Sequence, residues 1–347
     1  MGRHRIGRAS GIAALIVALA GVLAGVGNAQ AQASRTKVTV VQVIHAFSFA
    51  PVYVARHKGY FEAEGIDLDW QIVQGAAVAI AALSGGNAQF AAGASTEVMT
   101  MVSRGLPALA VAGIATSMTM DAVVSKRWAE ARGVTPRSPL RERILALKGA
   151  KMGITSPGGA PDRYGRWLMT TVGLTPEDVQ NVKAGGAPEI MAAVKHGTIE
   201  GFLLSAPSGP QVEHDGYGVI LIPFRDVPEF REFVHESLHG LKPYIEAHPQ
   251  ITEKMARALA RANNLIQDRP DEAKALLRKD FGRINPSVLS ASLDSMRSAF
   301  PRDGKMTQKQ WDNTVKIHLE SGAIKTSLDT REGLWWTNQH LRNIPSP

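Results

Sequence analysis

Apolar residues alternate or run unbroken in KVTVVQVI (37–44), IDLDWQIV (66–73) and PALAVAGIA (107–115). Between these runs they recur at three-and-four spacing, in PVYVARHKGYFEAEG (51–65), AAVAIAALSGG (76–86) and TEVMTMVSRG (96–105). The first pattern predicts strands and the second helices; NAQFAAG (87–93) fits one more short strand. Strands that alternate with helices imply a parallel sheet with helical crossovers. DAVVSK (121–126) reads as a strand leaving this first unit.

A Pro- and Arg-rich stretch, RGVTPRSPLRER (132–143), reads as a surface insertion, and the alternation then restarts. GAKMGI, DVQNVKA, IEGFLLS and GYGVILIPF are predicted strands; PDRYGRWLMTTVG and PEIMAAVKHG are predicted helices. From about 250 onward the pattern is helical, with amphipathic segments at 251–270, 271–282, 285–300 and 307–322. The two alternating units resemble each other. GAAVAIAALSGG (75–86) and GAPEIMAAVKHG (186–197) share Gly75/Gly186, Ala76/Ala187, Ala81/Ala192, Ala82/Ala193 and Gly86/Gly197, always 111 apart. Ala50-Pro51 and Ala160-Pro161 each open a helix. The expected architecture is therefore two similar α/β lobes facing one another, followed by C-terminal helices.

That layout carries a chemical consequence. In open parallel sheets, ligands sit beyond the carboxyl ends of the strands. A proline in the first helical turn wastes no hydrogen bond, and the remaining free N–H groups favour an anion. The residues expected at the cleft from the first lobe are His45, Phe47, Phe49, Ala50, Gly75, Ala76, Gly93, Ala94 and Ser95. Phe47 and Phe49 either stack on a planar ligand or pack beneath the helix. His45 is a hydrogen-bonded structural residue or a ligand contact, and Ser95 caps a helix whatever it binds. From the second lobe come Thr155, Ser156, Gly158, Gly159, Ala160, Gly185 and Ser205. Arg163, in the first turn of its helix, either pairs with an anion in bidentate fashion or stays solvated.

The amino terminus changes the compartment. MGRHRIGR is followed by an apolar run, GIAALIVALAGVLAGVG, and then by AQAQA. These are the three regions of an export signal, 1–33, with cleavage after Ala33 or alternatively Ala31. No cysteine is present, which excludes disulfides, thiolate metal sites, a cysteine nucleophile and lipidation. Arg3, Arg5 and Arg8 leave with the signal, taking the formal charge from +8 to +5. The basic residues are scattered without interleaved aromatics, so no nucleic-acid surface is expected. HESLH (235–239) matches H-E-x-x-H, but that zinc chemistry needs a helix, and the surrounding residues alternate like a strand.

APVYVARHKGYFEAEGIDLDWQIVQGAAVAIAALSGGNAQFAAG resembles the periplasmic substrate-binding proteins of ABC importers, in the subgroup for nitrate, alkanesulfonates, taurine and thiamine-type pyrimidines. AVKHGTIEGFLLSAP and the C-terminal helices are similar to the later parts of that family, and together they cover the mature chain. The family's Gly-x-Val-Asp-Ala segment stands here as GTIEG. The resemblance implies a type II periplasmic binding protein fold, with two α/β lobes joined by two hinge strands. It implies a first lobe of 34–122 and 223–347 and a second lobe of 123–222. It also implies a periplasmic monomer without catalytic residues, metal or cofactor, which passes a small organic ligand to a membrane permease and its ATPase. A sulfonate or carboxylate, aromatic or aliphatic, suits the charge. The alternatives are an enzyme on the same fold, like the pyrimidine synthases, and a ligand-presenting sensor subunit.

Overall fold

The computed structural model describes residues 35–73, 75–342 and 344, together with Met1 and Gly2. The expected export signal lies outside the described residues, apart from those first two. The described strands are β1 (Thr36–Gln42), β2 (Ile66–Ile72), β3 (Phe90–Ala94), β4 (Ala108–Ala115), β5 (Met120–Ser125), β6 (Lys151–Ile154), β7 (Gln180–Lys183), β8 (Gly201–Ser205), β9 (Gly218–Pro223) and β10 (Glu236–Leu241). They form two five-stranded sheets, ordered β2-β1-β3-β10-β4 and β7-β6-β8-β5-β9. β1 runs parallel to β3, with Val40 opposite Phe90, and β6 runs parallel to β7 and β8. β10 and β5 are antiparallel to both of their neighbours.

The two sheet orders coincide if β6 to β9 stand for β1 to β4 and β5 stands for β10. Each lobe thus receives one strand from the far end of the other lobe's run. Gly75 and Gly186, which share the 111-residue spacing, each precede the helix that follows the second strand of their lobe. Ala50-Pro51 and Ala160-Pro161 open the helices Ala50–His57 and Ala160–Thr170, with proline in the first turn.

The chain changes sheet at 116–119 and again at 224–235. The crossings expected at Ala122–Val123 and Ile222–Pro223 therefore fall inside paired strands. Ala122 sits between Leu203 of β8 and Ile222 of β9. A strand's period shows that it is a strand, but not which sheet it joins. Two further details depart from expectation. The helix predicted over 51–65 breaks at Gly59, whose φ of +66° suits glycine far better than other residues. The stretch 132–143 runs into a helix, Leu140–Leu145, and Arg143 is buried there, donating to the Leu221 carbonyl at 3.1 Å.

β5 shows why the second lobe has two cores. Ala122 and Val124 face a cluster containing Met152, Tyr164, Trp167 and Leu203. Val123 faces the other side, with Ile190, Phe202, Leu204 and Val212. A central strand covered on both faces is apolar throughout, as its sequence DAVVS is apart from its ends. In the first lobe, the helix Pro249–Asp268 buries Ala256, Ala258, Ala260 and Ala262 and packs against the helix Ala50–His57 and β4. No helix among the described residues is long and apolar enough to cross a membrane.

Candidate functional site

A cavity of about 1120 Å³ opens where the strand ends of the two sheets face each other. Six loops or strand ends supply much of its wall. From the first lobe come residues 43–46 after β1, Ile72 at the end of β2 with Val73, Gly75 and Ala76 beyond it, and Ala94 at the end of β3. From the second come Thr155 and Ser156 after β6, Gly185 and Gly186 after β7, and Ser205 at the end of β8. The lobes touch beside it. The Phe47 N–H donates to the Ala206 carbonyl at 3.2 Å, and the Ser95 hydroxyl lies 3.1 Å from that of Tyr164.

Of the residues expected at the cleft, His45, Gly75, Ala76, Ala94, Thr155, Ser156, Gly159, Ala160, Gly185 and Ser205 line the cavity. The others stand behind the wall. Phe47 and Phe49 are fully buried: of the two readings open for them, packing beneath the helix is the one the fold adopts. Ala50 is buried in the same layer. Gly93 is covered by the Glu97 carboxyl, which leaves no room for a Cβ. Ser95 spends its hydroxyl on Tyr164. Gly158 takes a left-handed φ of +73° and donates its N–H to Asp162 at 2.7 Å. Arg163 turns back, its Nε 3.4 Å from the Gly158 carbonyl, so its guanidinium forms no part of the wall.

A flat wall exists nonetheless, built from a residue outside that set. Phe281 lies 4.4 Å, ring centre to ring centre, from His45, with the planes 35° apart. It arrives on the segment 279–284 between two C-terminal helices, which also brings Lys279 and Arg283 to the cavity. In the sequence this segment continues an amphipathic helical pattern, so nothing in its periodicity marks it as cavity wall.

The polar floor was also missed. Glu97, in the first turn of the helix Ser95–Ser103, and the neighbours His235 and Glu236 all reach the cavity, although they are only 3%, 1% and 4% exposed. Burial pushes the Glu97 carboxyl up to about 8, against the opposing hydrogen bonds of Thr96 and the Ala94 N–H. Burial, reinforced by the Glu97 charge, raises Glu236 well above the carboxylate range, and the Ser48 hydroxyl only partly offsets this. Burial lowers His235 to about 3, so its ring is neutral. Its Nδ1 accepts the Thr119 N–H at 3.4 Å, which leaves the ring proton on Nε2. The Thr119 hydroxyl lies 2.9 Å from both this nitrogen and the Ser205 hydroxyl. HESLH is thus the start of a central strand and not a helix. Its alternation puts Ser237 and His239 on one face, 3.3 Å apart, and turns Glu236 to the other. Charged residues at the mouth of an otherwise buried strand were the available signal.

The family described as "NMT1/THI5 like" matches residues 46–273, well over half of the chain, and that span contains the ends of β2, β3, β6, β7 and β8 and the cavity floor. The chain belongs to the NMT1/THI5-like family. It is 21% identical over 300 residues to the Bacillus subtilis (strain 168) protein YtlA, named as a binding protein, covering 83% of this chain and 84% of that one. Among solved structures it superposes on a protein from Bordetella bronchiseptica RB50, with a TM-score of 0.74, 22% identity and coverage of 89% and 96% of the two chains. The periplasmic aliphatic sulphonate binding protein SsuA from Escherichia coli gives a TM-score of 0.65 at 15% identity, covering 87% of this chain and 98% of that one. The desulfurization enzyme DszB has the same fold, with a TM-score of 0.61 at 11% identity and coverage of 89% and 98%. This NMT1/THI5-like chain therefore has the type II periplasmic binding protein fold, with two mixed α/β lobes around one cleft.

Proposed function

We propose that this NMT1/THI5-like protein is the periplasmic solute-binding component of an ABC importer. It captures one small organic molecule between its lobes as a monomer and hands it to a permease powered by a separate ATPase. The observation that carries the reading is the cavity itself, which lies between two lobes that already touch at Phe47–Ala206 and Ser95–Tyr164. Closure of two lobes on a ligand is an established mode of domain motion. The name of SsuA, which shares the fold, agrees with this role. The reading assigns the protein no catalytic step.

The proposed ligand carries a carboxylate or sulfonate and a flat or slender body. Backbone N–H groups at the helix starts Ala160 and Ala187 and the exposed cations Lys279 and Arg283 suit the acid group. His45 and Phe281 suit the body. A thermal-shift screen of residues 34–347 tests this with nitrate, alkanesulfonates, taurine, aromatic and aliphatic carboxylates, and pyrimidines. A ligand at 100 times its Kd adds about 2.7 kcal/mol, a readily visible rise in Tm. A single responding class supports capture. Conversion of that ligand to product on prolonged incubation, followed by mass spectrometry, would instead make the protein an enzyme.

Because Arg163 points away from the cavity and its side chain bonds to the Gly158 carbonyl, Arg163→Ala should leave the affinity for any hit within about twofold of the wild type. A tenfold loss in the same titration would place its guanidinium on the ligand.

A further inference from the structure

We infer that the captured molecule also carries a protonated nitrogen, an amine or amidine, and that Glu97 and Glu236 receive it at the floor of the cavity. The inference rests on the solute-binding reading and narrows its ligand from an anion to a zwitterion.

Glu236 begins β10 directly opposite Ala94, and Glu97 lies one helical turn beyond Ala94, so pairing of β3 with β10 brings the two carboxyls to one place. Each has an oxygen, Oε2, that is buried and has no hydrogen-bond partner. Neither carboxyl has a lysine or arginine within 4.0 Å among the described residues. The one basic group at hand is His235, whose Nε2 is 3.6 Å from Glu236, and that ring is neutral. Part of Glu97 is explained by its place in the helix, since its carboxyl also takes the Ala94 N–H. The Thr96 hydroxyl donates to the Glu97 Oε1 and the Ser48 hydroxyl reaches Glu236, but none of these donors carries a charge, so the paired carboxyls have no cation beside them among the described residues.

Buried polar atoms without partners are rare and cost free energy, so two at the wall of one cavity point to a partner that arrives from outside. A nitrogen with several N–H donors satisfies both oxygens at once. The exposed end of the cavity carries both signs, with Glu189 and the His57-paired Asp280 beside two cations. Lys279 and Arg283 are exposed on its wall and make no ion pair with a carboxylate among the described residues. The buried side offers only acids, whereas the exposed side offers these two cations free of ion pairs, which suits a molecule with an acid group at one end and a cation at the other. The titratable groups facing the pair are His235 on β10's approach and Tyr164 from the second lobe. Burial keeps the first neutral and raises the phenol of the second, so neither supplies the missing positive charge.

Calorimetry on matched probes decides the matter. The probes are 4-(aminomethyl)benzoate against 4-ethylbenzoate and taurine against propane-1-sulfonate, each titrated in phosphate and in Tris at pH 7. The amino member of the pair that binds should do so at least tenfold more tightly. It should also release about one proton per ligand, because the cation draws the proton from Glu97, which the free cleft holds protonated. Glu97→Gln and Glu236→Gln should each bring the ratio within a pair close to one. Both variants retain an acceptor oxygen and a neutral floor, so both should fold, which a Tm at pH 8 no lower than wild type would establish. If the non-amino member binds as well as its partner, or no proton is released, the inference fails and solute capture stands. If no member of the thermal-shift panel binds, the capture reading fails and the inference goes with it. Should a variant not fold, the wild-type pair ratio and proton count still decide.

Discussion

Gly201→Ala should unfold or severely loosen the second lobe. Gly201 opens β8, where it pairs with Val124 of β5 and with Met152 of β6. A Cβ at this position would run into the Val123 carbonyl oxygen and lie 2.9 Å from the Met152 sulfur. The methionine can swing aside, since its side chain is flexible. The carbonyl cannot, because it belongs to a strand bonded on both edges, to β8 and to β9. Overpacking a core costs about 1–3 kcal/mol, and a clash against fixed backbone belongs at or above the top of that range. Urea unfolding followed by circular dichroism should show a loss of about 3 kcal/mol or more. Since β8 also carries Ser205 and Ala206 to the cavity, ligand-induced stabilisation should vanish with it. A variant within about 0.5 kcal/mol of the wild type would mean that β5 and β8 are not held at this spacing.

Stability should peak close to pH 6.5 and fall on both sides, because buried acids and buried histidines pull in opposite directions. Glu97 titrates near 8 in the folded protein and near 4.5 in the unfolded chain, and Glu236 is raised in the same sense. Such groups stabilise fully below the unfolded value, and that contribution is lost as pH rises toward the folded one. His235, His239 and His318 are lowered by burial to about 3, 4 and 4, from 6.5. For them the unfolded chain takes up protons first, so each destabilises the fold as pH drops below 6.5. Between 4.5 and 6.5 the two sets oppose each other, with five lowered histidines, His45 and His340 included, against three raised acids, since burial also lifts Asp121 to about 7. Above 6.5 only the acids act. Each group contributes about 1.4 kcal/mol per pH unit, so Glu97 alone removes about 2 kcal/mol between pH 6.5 and 8, and Glu236 adds to it. Below 4.5 the histidines prevail, and the protein should unfold in acid. Tm measured from pH 4 to 9 checks this, with Glu97→Gln expected to flatten the alkaline limb. A Tm that stays level or climbs from pH 6.5 to 8.5 would show that the two acids ionise freely in the folded state.

The strands and helices of both lobes were legible because each repeats its own period along the chain. β5 and β8, apolar on both faces, read as buried strands from composition alone. The loops after β1, β2, β6 and β7 were legible for a related reason: a parallel sheet sends its strand ends to one side, so glycines and hydroxyls just past a strand belong at a cleft. His45, Gly75, Thr155 and Ser156 follow from that rule. Phe47 and Phe49 defeat it. They sit just past a strand, but their rings find a larger apolar surface under the helix than in a solvent-filled cleft, and burial decides where they point.

By itself the sequence determined the two α/β units, their internal likeness at 111 residues, the helical C-terminal part and the absence of any cysteine chemistry. These depend on local periodicity, on spacing or on residue counts, and none requires knowing what meets what. Only the tertiary structure decided which sheet β5 and β10 join, and with that where the lobes divide. It alone brought Phe281, about 235 residues downstream of His45, against that ring, and set Glu97 beside Glu236 through the pairing of β3 with β10. Contacts at such separations come from strand order and helix docking. Those are properties of the whole buried surface, and no short window of the chain contains them.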